Sequence, residues 1–262
     1  MKKETLEKEY LENKLSMKKI AEKFNVSVSK VHRKIHEYKI PARKNYPEPN
    51  KGMELTEKQE KFVYAKLLGD GCITKNVHHQ KYHFEFSQCE EQEEYARFCS
   101  NLLKDWGKFK IKERKRDPQI YKKWQFKECT FRSFNHPEFS RIYRHFYEYG
   151  IKIVNNDILS MIDDFGLAIW FQDDGHCDRG KAGYLNTLNF TLDENKLIVD
   201  WLWERFGIRS NVVKAGKSRS GKKFLYRIRL SSTTWKKFCN IVEPHMVNSL
   251  KYKIGKDTVR SS

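Results

Sequence analysis

Residues 55–262 run through one order of elements twice, and that internal repeat narrows the possible folds more than any local propensity does. In the first copy, TEKQEKFVYAKLLGDG reads as a helix closing on an acidic-Gly turn, and strands are predicted near 72–76 and 82–88. An amphipathic helix, EEQEEYARFCSNLLKDWG, ends at Gly107; basic strands follow near 108–116 and 122–132, and another helix begins near Pro137. The second copy opens on SMIDDFGLAIWFQDDG and continues with strands over about 184–192 and the helix DENKLIVDWLWERFG. Strands near 208–215 and 223–231 and the helix TTWKKFCNIVEPH complete it. The middle helices end alike, in Asp105-Trp106-Gly107 and Arg205-Phe206-Gly207, each running directly into a basic strand. The expectation is an α+β fold of two pseudo-symmetric αββαββα repeats, 55–152 and 153–262.

Ahead of the repeats, residues 1–45 predict a small all-α domain. IPARKNYPEPNKG (40–52), with three of the six Pro, marks a linker, placed at 46–54. A helix over 3–13 is followed by MKKIAEKF, with Ser16 as its N-cap. Asn25 suits a left-handed turn, and Ser27 or Ser29 caps a third helix reaching about Tyr38. Ile20, Ala21, Val26, Val31 and Ile35 form its core. This resembles the helix-turn-helix DNA-binding motif, with Asn25 in place of the usual turn glycine. The third helix would then turn Ser29, Lys30, His32, Arg33 and His36 outward, with Lys30 and Arg33 as DNA contacts. The plainer alternative is a three-helix protein-interaction module.

Charge points to the partner. The chain carries 52 Lys+Arg against 34 Asp+Glu, a formal +18, which favours a polyanion, nucleic acid ahead of an acidic membrane surface. The excess is concentrated: residues 108–132 hold ten Lys/Arg and three acids, and 208–229 hold eight Lys/Arg and no acid. No apolar run approaches the roughly 20 residues that span a bilayer, and the N-terminus lacks the apolar core of a secretory signal. Six scattered Cys form no C-x-x-C pair, so reduced thiols are expected rather than structural zinc or disulfides. The expected location is cytoplasmic, at the nucleoid, with an organelle matrix left open. There is no P-loop and no G-x-S-x-G elbow, and His78, His79 and His83 read as ordinary loop histidines. The chain has neither the leading Cys nor the terminal His-Asn of a protein-splicing element, so a free-standing protein is expected.

The two opening helices end in VYAKLLGDG (63–71) and LAIWFQDDG (167–175), which place Asp70 and Asp174 at matching penultimate positions. Ala65 and Gly69 are small and four apart on one face, so a second helix can approach closely; Ile169 and Asp173 stand at the matching places in the other. These segments resemble the paired signature of the LAGLIDADG homing endonucleases, and the likeness spans about 55–260. That resemblance implies two four-stranded antiparallel sheets forming a saddle over duplex DNA, with the signature helices packed at its centre. Asp70 and Asp174 would then meet at helix C-termini, where the macrodipole is already negative, so cations must neutralise them. It implies Mg²⁺, two or three divalent ions, on Asp70 and Asp174, with ligands added near Gly69 and Asp173. The Asp173 carboxylate itself reads either as a supporting acid or as a solvated turn residue. By resemblance to the family's terminal Tyr-Lys pair, Lys253 in EPHMVNSLKYKIG is a catalytic lysine, and Lys152 in YGIKIVNN is its counterpart.

The strands would carry recognition over roughly 15–20 base pairs. Lys108, Lys110 and Lys112 alternate on one face, as do Arg114 with Arg116 and Arg227 with Arg229; Gln88, Gln125, Asn186, Asn189 and Thr191 are polar candidates, equally readable as merely exposed. The reading that results is a monomeric, site-specific double-strand DNA endonuclease. Its rivals are an intron maturase acting on structured RNA and a transcription regulator with a vestigial nuclease core.

Overall fold

The structure is a computed structural model that describes residues 2–41, 52–76, 81–115, 125–218, 220–221 and 223–256. The chain divides into two compact units, Met1–Lys51 and Gly52–Ser262.

The first unit is helical. Helix α1 begins at Lys3–Glu7 and continues as a widened turn over Lys8–Glu12; α2 covers Met17–Lys23 and α3 covers Val28–Glu37. Ser16 and Ser27 act as N-caps, their hydroxyls accepting from the Lys19 and Lys30 N–H groups. Between α2 and α3 the chain turns through Asn25, whose φ of 49° lies in the left-handed region that Asn tolerates. Leu6, Tyr10, Ile20, Ala21, Val31, Ile35 and Ile40 close the core. Glu9 ties α1 to α2, accepting from Lys23 Nζ at 2.6 Å.

The second unit carries the repeat. Helix α4 (Glu57–Leu68) opens the first half, followed by β1 (Gly71–Asn76), β2 (Lys81–Cys89), α5 (Glu93–Leu102), β3 (Gly107–Lys115), β4 (Gln125–Ser133) and α6 (Pro137–Phe146). A two-stranded hairpin, β5 (Tyr147–Glu148) and β6 (Ile151–Lys152), and the short α7 (Asn156–Ser160) lead to the second half. That half comprises α8 (Asp164–Asp174), β7 (Gly175–Asp178), β8 (Ala182–Leu185), α9 (Leu192–Phe206), β9 (Ser210–Lys217), β10 (Phe224–Leu230) and α10 (Ser232–Val242). The two main sheets are antiparallel with matching strand orders, β1-β2-β4-β3 and β7-β8-β10-β9. The αββαββα expectation therefore holds in both halves, and the fold is α+β.

Two local expectations fail. The second signature helix does not start in SMIDDFG as one piece: the chain breaks between α7 and α8, where the Asp163 side chain caps α8 by accepting from the Gly166 N–H at 2.9 Å. The strands expected over 184–192 lie earlier, at β7 and β8. Three residues, 179–181, join them, with Arg179 and Gly180 at positive φ. The alternation in YLNTLNFTL imitates a strand, but Thr191 opens α9 through a capping box with Glu194. Asn186, Asn189 and Thr191 thus lie outside every strand.

Helices α4 and α8 are buried all round: Phe62 to Leu68 and Gly166 to Gln172 are shielded without a break. In the first half Phe84 and Phe86 of β2 and Phe131 of β4 pack with Phe139 of α6, and in the second Phe171 of α8 packs with Trp235 and Phe238 of α10. The opposite sheet faces are polar and basic. No helix among the described residues is long and apolar enough to cross a membrane.

Candidate active site where the signature helices cross

Close approach of α4 and α8 depends on small residues. A Cβ built on Gly166 would lie 3.6 Å from the Ala65 Cβ, and one built on Gly69 would lie 2.4 Å from Asp173 Oδ2. The two signatures are therefore complementary rather than identical, because Gly69 leaves the space that the Asp173 side chain occupies. That carboxylate is fully shielded and surrounded by donors. Lys66 Nζ lies 2.7 Å from its Oδ1, the Tyr95 hydroxyl 2.8 Å from the same oxygen, and the Asp70 N–H donates to Oδ2 at 3.1 Å. Burial pushes the Asp173 carboxyl up, and the Lys66 ammonium pulls against that shift. Burial likewise opposes the charge on Lys66, but the groups around it, the Asp173 carboxylate first, together more than offset it and hold the amine above its ordinary value. Asp173 is thus the anchor of a cross-repeat ion pair, not a solvated turn residue.

This anchor sets the two signature acids. Asp70 follows Gly69 with its backbone fixed on Asp173, and its Oδ2 accepts from Gln88 Nε2 at 2.8 Å. Gln88 Nε2 also lies 3.4 Å from Asp173 Oδ1. Asp174 ends α8, where its carbonyl accepts from the N–H of Asn186 at 3.0 Å and from the Asn186 side-chain amide at 2.9 Å. Its carboxyl is pushed up to about 7, first by burial and then by the negative charges of Asp70 and Asp173.

Each half adds a lysine at the end of its own signature helix, half-buried in one and buried in the other. Lys152, on β6, donates to the Gly71 carbonyl at 2.6 Å and reaches the Gly69 carbonyl at 3.4 Å. Lys253 lies in a 3₁₀ segment, Asn248–Ile254, and donates to the Gln172 carbonyl at 2.6 Å and the Asp173 carbonyl at 3.0 Å. A cation at a helix C-terminus is the favourable placement. Burial pushes both amines below the ordinary lysine value, while the surrounding aspartates oppose that shift. The structure therefore brings Asp70, Asp174, Gly69, Asp173, Lys152 and Lys253 into one neighbourhood.

The donor set suits a hard divalent cation: two carboxylates at the ends of two helices, with backbone carbonyls beside them. Among the described residues no group of three or more His, Cys, Asp or Glu has metal-holding geometry. Such an ion would therefore take two carboxylates from the protein and complete its shell with other oxygens, as Mg²⁺ does.

The sequence reading missed three members of this cluster. It gives no role to Lys66 or Tyr95, and it gives Gln88 as a strand candidate for DNA recognition or as merely exposed. Gln88 is in fact buried, on the inner face of β2 after Phe84 and Phe86. A polar residue on an apolar stripe was the available signal. So was a lysine within a helix stretch apolar on every side.

The basic candidates divide by surroundings. Lys108, Lys110 and Lys112 share the outer face of β3, and Arg229 is exposed on β10. Arg114 is engaged with Glu128 at 2.7 Å. Arg227 lies over the Tyr184 ring at 4.0 Å, and Tyr184 stacks on His176. Lys30 and Arg33 are exposed on α3. Arg116, His78 and His79 lie outside the described residues.

The paired acids thus end two signature helices that pack together, each followed by an antiparallel sheet of matching strand order. A family model described as the LAGLIDADG DNA endonuclease family matches residues 61–238, and the chain belongs to that family. It is 27% identical over 202 residues to a cytochrome b mRNA maturase bI2 of Debaryomyces hansenii, covering 77% of this chain and 75% of that protein. It is 30% identical over 136 residues to a probable intron-encoded DNA endonuclease 3 of Mycosarcoma maydis, covering 50% of this chain and 95% of that protein. Among solved structures, the homing endonuclease I-WcaI bound to its DNA recognition sequence has the same fold. The TM-score is 0.69 at 20% identity, over 82% of this chain and 95% of that one.

Two stability predictions follow from the cluster. Lys66→Met leaves Asp173 charged and buried without its partner, and should cost about 3–5 kcal/mol in urea denaturation. Adding Asp173→Asn to that variant should recover a large part of the loss. The second concerns Asp174 in chelator, free of divalent ions. Its folded-state pKa, about 7, exceeds the ordinary 3.8, so the folded state binds more protons between those values and stability falls as pH rises through them. Asp174→Asn removes that loss. Its melting temperature in chelator should match wild type near pH 4 and exceed it increasingly toward pH 7.5; a constant gap across that range would contradict the assignment.

Proposed function

We propose that this protein is a site-specific DNA endonuclease that cuts both strands of a long duplex site in the presence of Mg²⁺. The observation that carries the reading is the doubling of the site. Where α4 and α8 pack together each half supplies one terminal aspartate and one lysine bonded to helix-end carbonyls, Asp70 with Lys152 and Asp174 with Lys253. Two antiparallel strands related by a local dyad present two scissile phosphates in that same relation. A single-strand hydrolase has no need of a second set.

In this reading Asp70 and Asp174 hold the divalent ions, with the carbonyls near Gly69 and Asp173 in reach, and Gln88 fixes the orientation of Asp70. The bound ion supplies positive charge to the phosphate and acidifies the attacking water. Lys152 and Lys253 place an ammonium where negative charge grows on the phosphoryl oxygens as the water oxygen bonds to phosphorus and the bond to the leaving oxygen breaks. The basic outer faces of the sheets hold the duplex: Lys108, Lys110 and Lys112 in one half, Arg227 and Arg229 in the other.

The assay is incubation of the full chain with a randomised duplex library and Mg²⁺, followed by sequencing of cut ends. Sequence-specific double-strand cuts are expected. Asp70→Asn or Asp174→Asn should lower cutting at least about a hundredfold while the duplex is still bound. Lys152→Met and Lys253→Met should each slow cleavage about tenfold to a thousandfold with little change in DNA affinity. Binding without cuts in the wild type would support a regulator instead. The likeness to a protein described as an mRNA maturase favours a second reading, assistance to intron RNA folding on the same saddle. Tight binding to structured RNA, with no duplex bound or cut, would select it.

A further inference from the structure

The N-terminal unit lies wholly outside residues 61–238, which the family model matches, so membership does not say what this unit does. Its architecture does. Seven residues of α2 lead through a four-residue turn, 24–27, into the ten residues of α3. The turn is locked by hydrogen bonds from the Phe24 N–H to the Ile20 carbonyl at 3.0 Å and from the Val26 N–H to the Ala21 carbonyl at 2.9 Å. Asn25 supplies the left-handed residue between them.

Only one side of α3 enters the core, through Val31 and Ile35. The opposite side is a continuous exposed surface made by Ser29, Lys30, His32, Arg33 and His36. His32 and His36 lie against each other, with ring centroids 4.5 Å apart. Neither Lys30 nor Arg33 forms an ion pair among the described residues. Residues 1–50 hold 13 Lys/Arg against seven acids, and the one acid on α3, Glu37, is taken by Lys34 at 2.7 Å.

A module for docking a protein would expose apolar side chains at the centre of such a face. Among the described residues of this unit the only large hydrophobic side chain that is exposed is Val28, at the N-terminal end of α3. A basic, hydroxyl- and imidazole-bearing helix face with one aliphatic group at its leading end matches a DNA major groove. There phosphates lie at the edges, with acceptors and thymine methyls on the floor. A ten-residue helix is about 15 Å long and fits a groove about 12 Å wide.

We propose that the exposed face of α3 is a second duplex-DNA site that reads its own short sequence block through the major groove. Arg33 and Ser29 reach base edges, Val28 meets a methyl group, and Lys30 pairs with a phosphate. The protein then recognises a composite target, one block cut by the nuclease unit and one held by α3.

The test uses the full chain. Wild type and Lys30→Glu/Arg33→Glu are each put through rounds of binding selection on a randomised duplex library in Ca²⁺, and their salt dependence is measured on the enriched duplexes. Wild type should select two conserved blocks. The variant should keep the cut block, lose the other, and show a log Kd against log salt slope smaller by about 1, for the one phosphate contact that Lys30 supplies. A duplex carrying only the cut block should still be cut by the variant at the same position. Identical blocks and slopes for both proteins would overturn the proposal. Melting curves check that the variant is folded, and Ser29→Ala/Arg33→Gln, at exposed positions, repeats the test without charge reversal. The two readings fail separately: absence of cutting with loss of one block in the variant sinks the nuclease and keeps the second site.

Discussion

The ion pair between Lys66 and Asp173 governs the rest of the active region. It joins the two repeats across the helix crossing, where a fully shielded carboxylate from one half fits the space left by Gly69 in the other. A buried pair contributes little net stability against an apolar substitute, but it is costly to break and it fixes register. Asp70 hangs from the same carboxylate by its backbone, and Asp174 is the next residue along the chain from Asp173. A slip of α4 against α8 would separate Lys66 from Asp173 and scatter both acids.

The two halves reach similar ends by unequal means. Lysines from different elements, a β-strand and a 3₁₀ turn, both settle on carbonyls at the end of their own signature helix. Gln88 bonds Asp70 on one side, whereas on the other side Asn186 grips the Asp174 backbone. The repeat is thus kept in its layout and not in the residues that fill it.

Much of this was legible in the sequence. Two copies of one element order, each opened by a helix ending in Asp-Gly, carry enough information to fix the α+β class, and they mark Asp70 and Asp174. Lys253 and Lys152 followed from resemblance. The misses share a cause. Alternation in YLNTLNFTL satisfies a strand pattern while the capping box at Thr191 and Glu194 decides for a helix, because two hydrogen bonds at a helix start outweigh a weak period. Gln88, Lys66 and Tyr95 are polar residues whose partners come from elements distant in sequence, and single-chain periodicity is blind to such pairings. The complementarity of Gly69 and Asp173 was visible only as an oddity, an acid where its counterpart has the smallest residue.

The central claim is that Asp70 and Asp174 act as one cation site. The most direct measurement is a double-mutant cycle on the rise in melting temperature produced by Mn²⁺ in wild type, Asp70→Asn, Asp174→Asn and the double variant. A shared site predicts that either single change removes most of the rise and that the second adds little. Two equal, additive losses, or a rise preserved in the double variant, would contradict it.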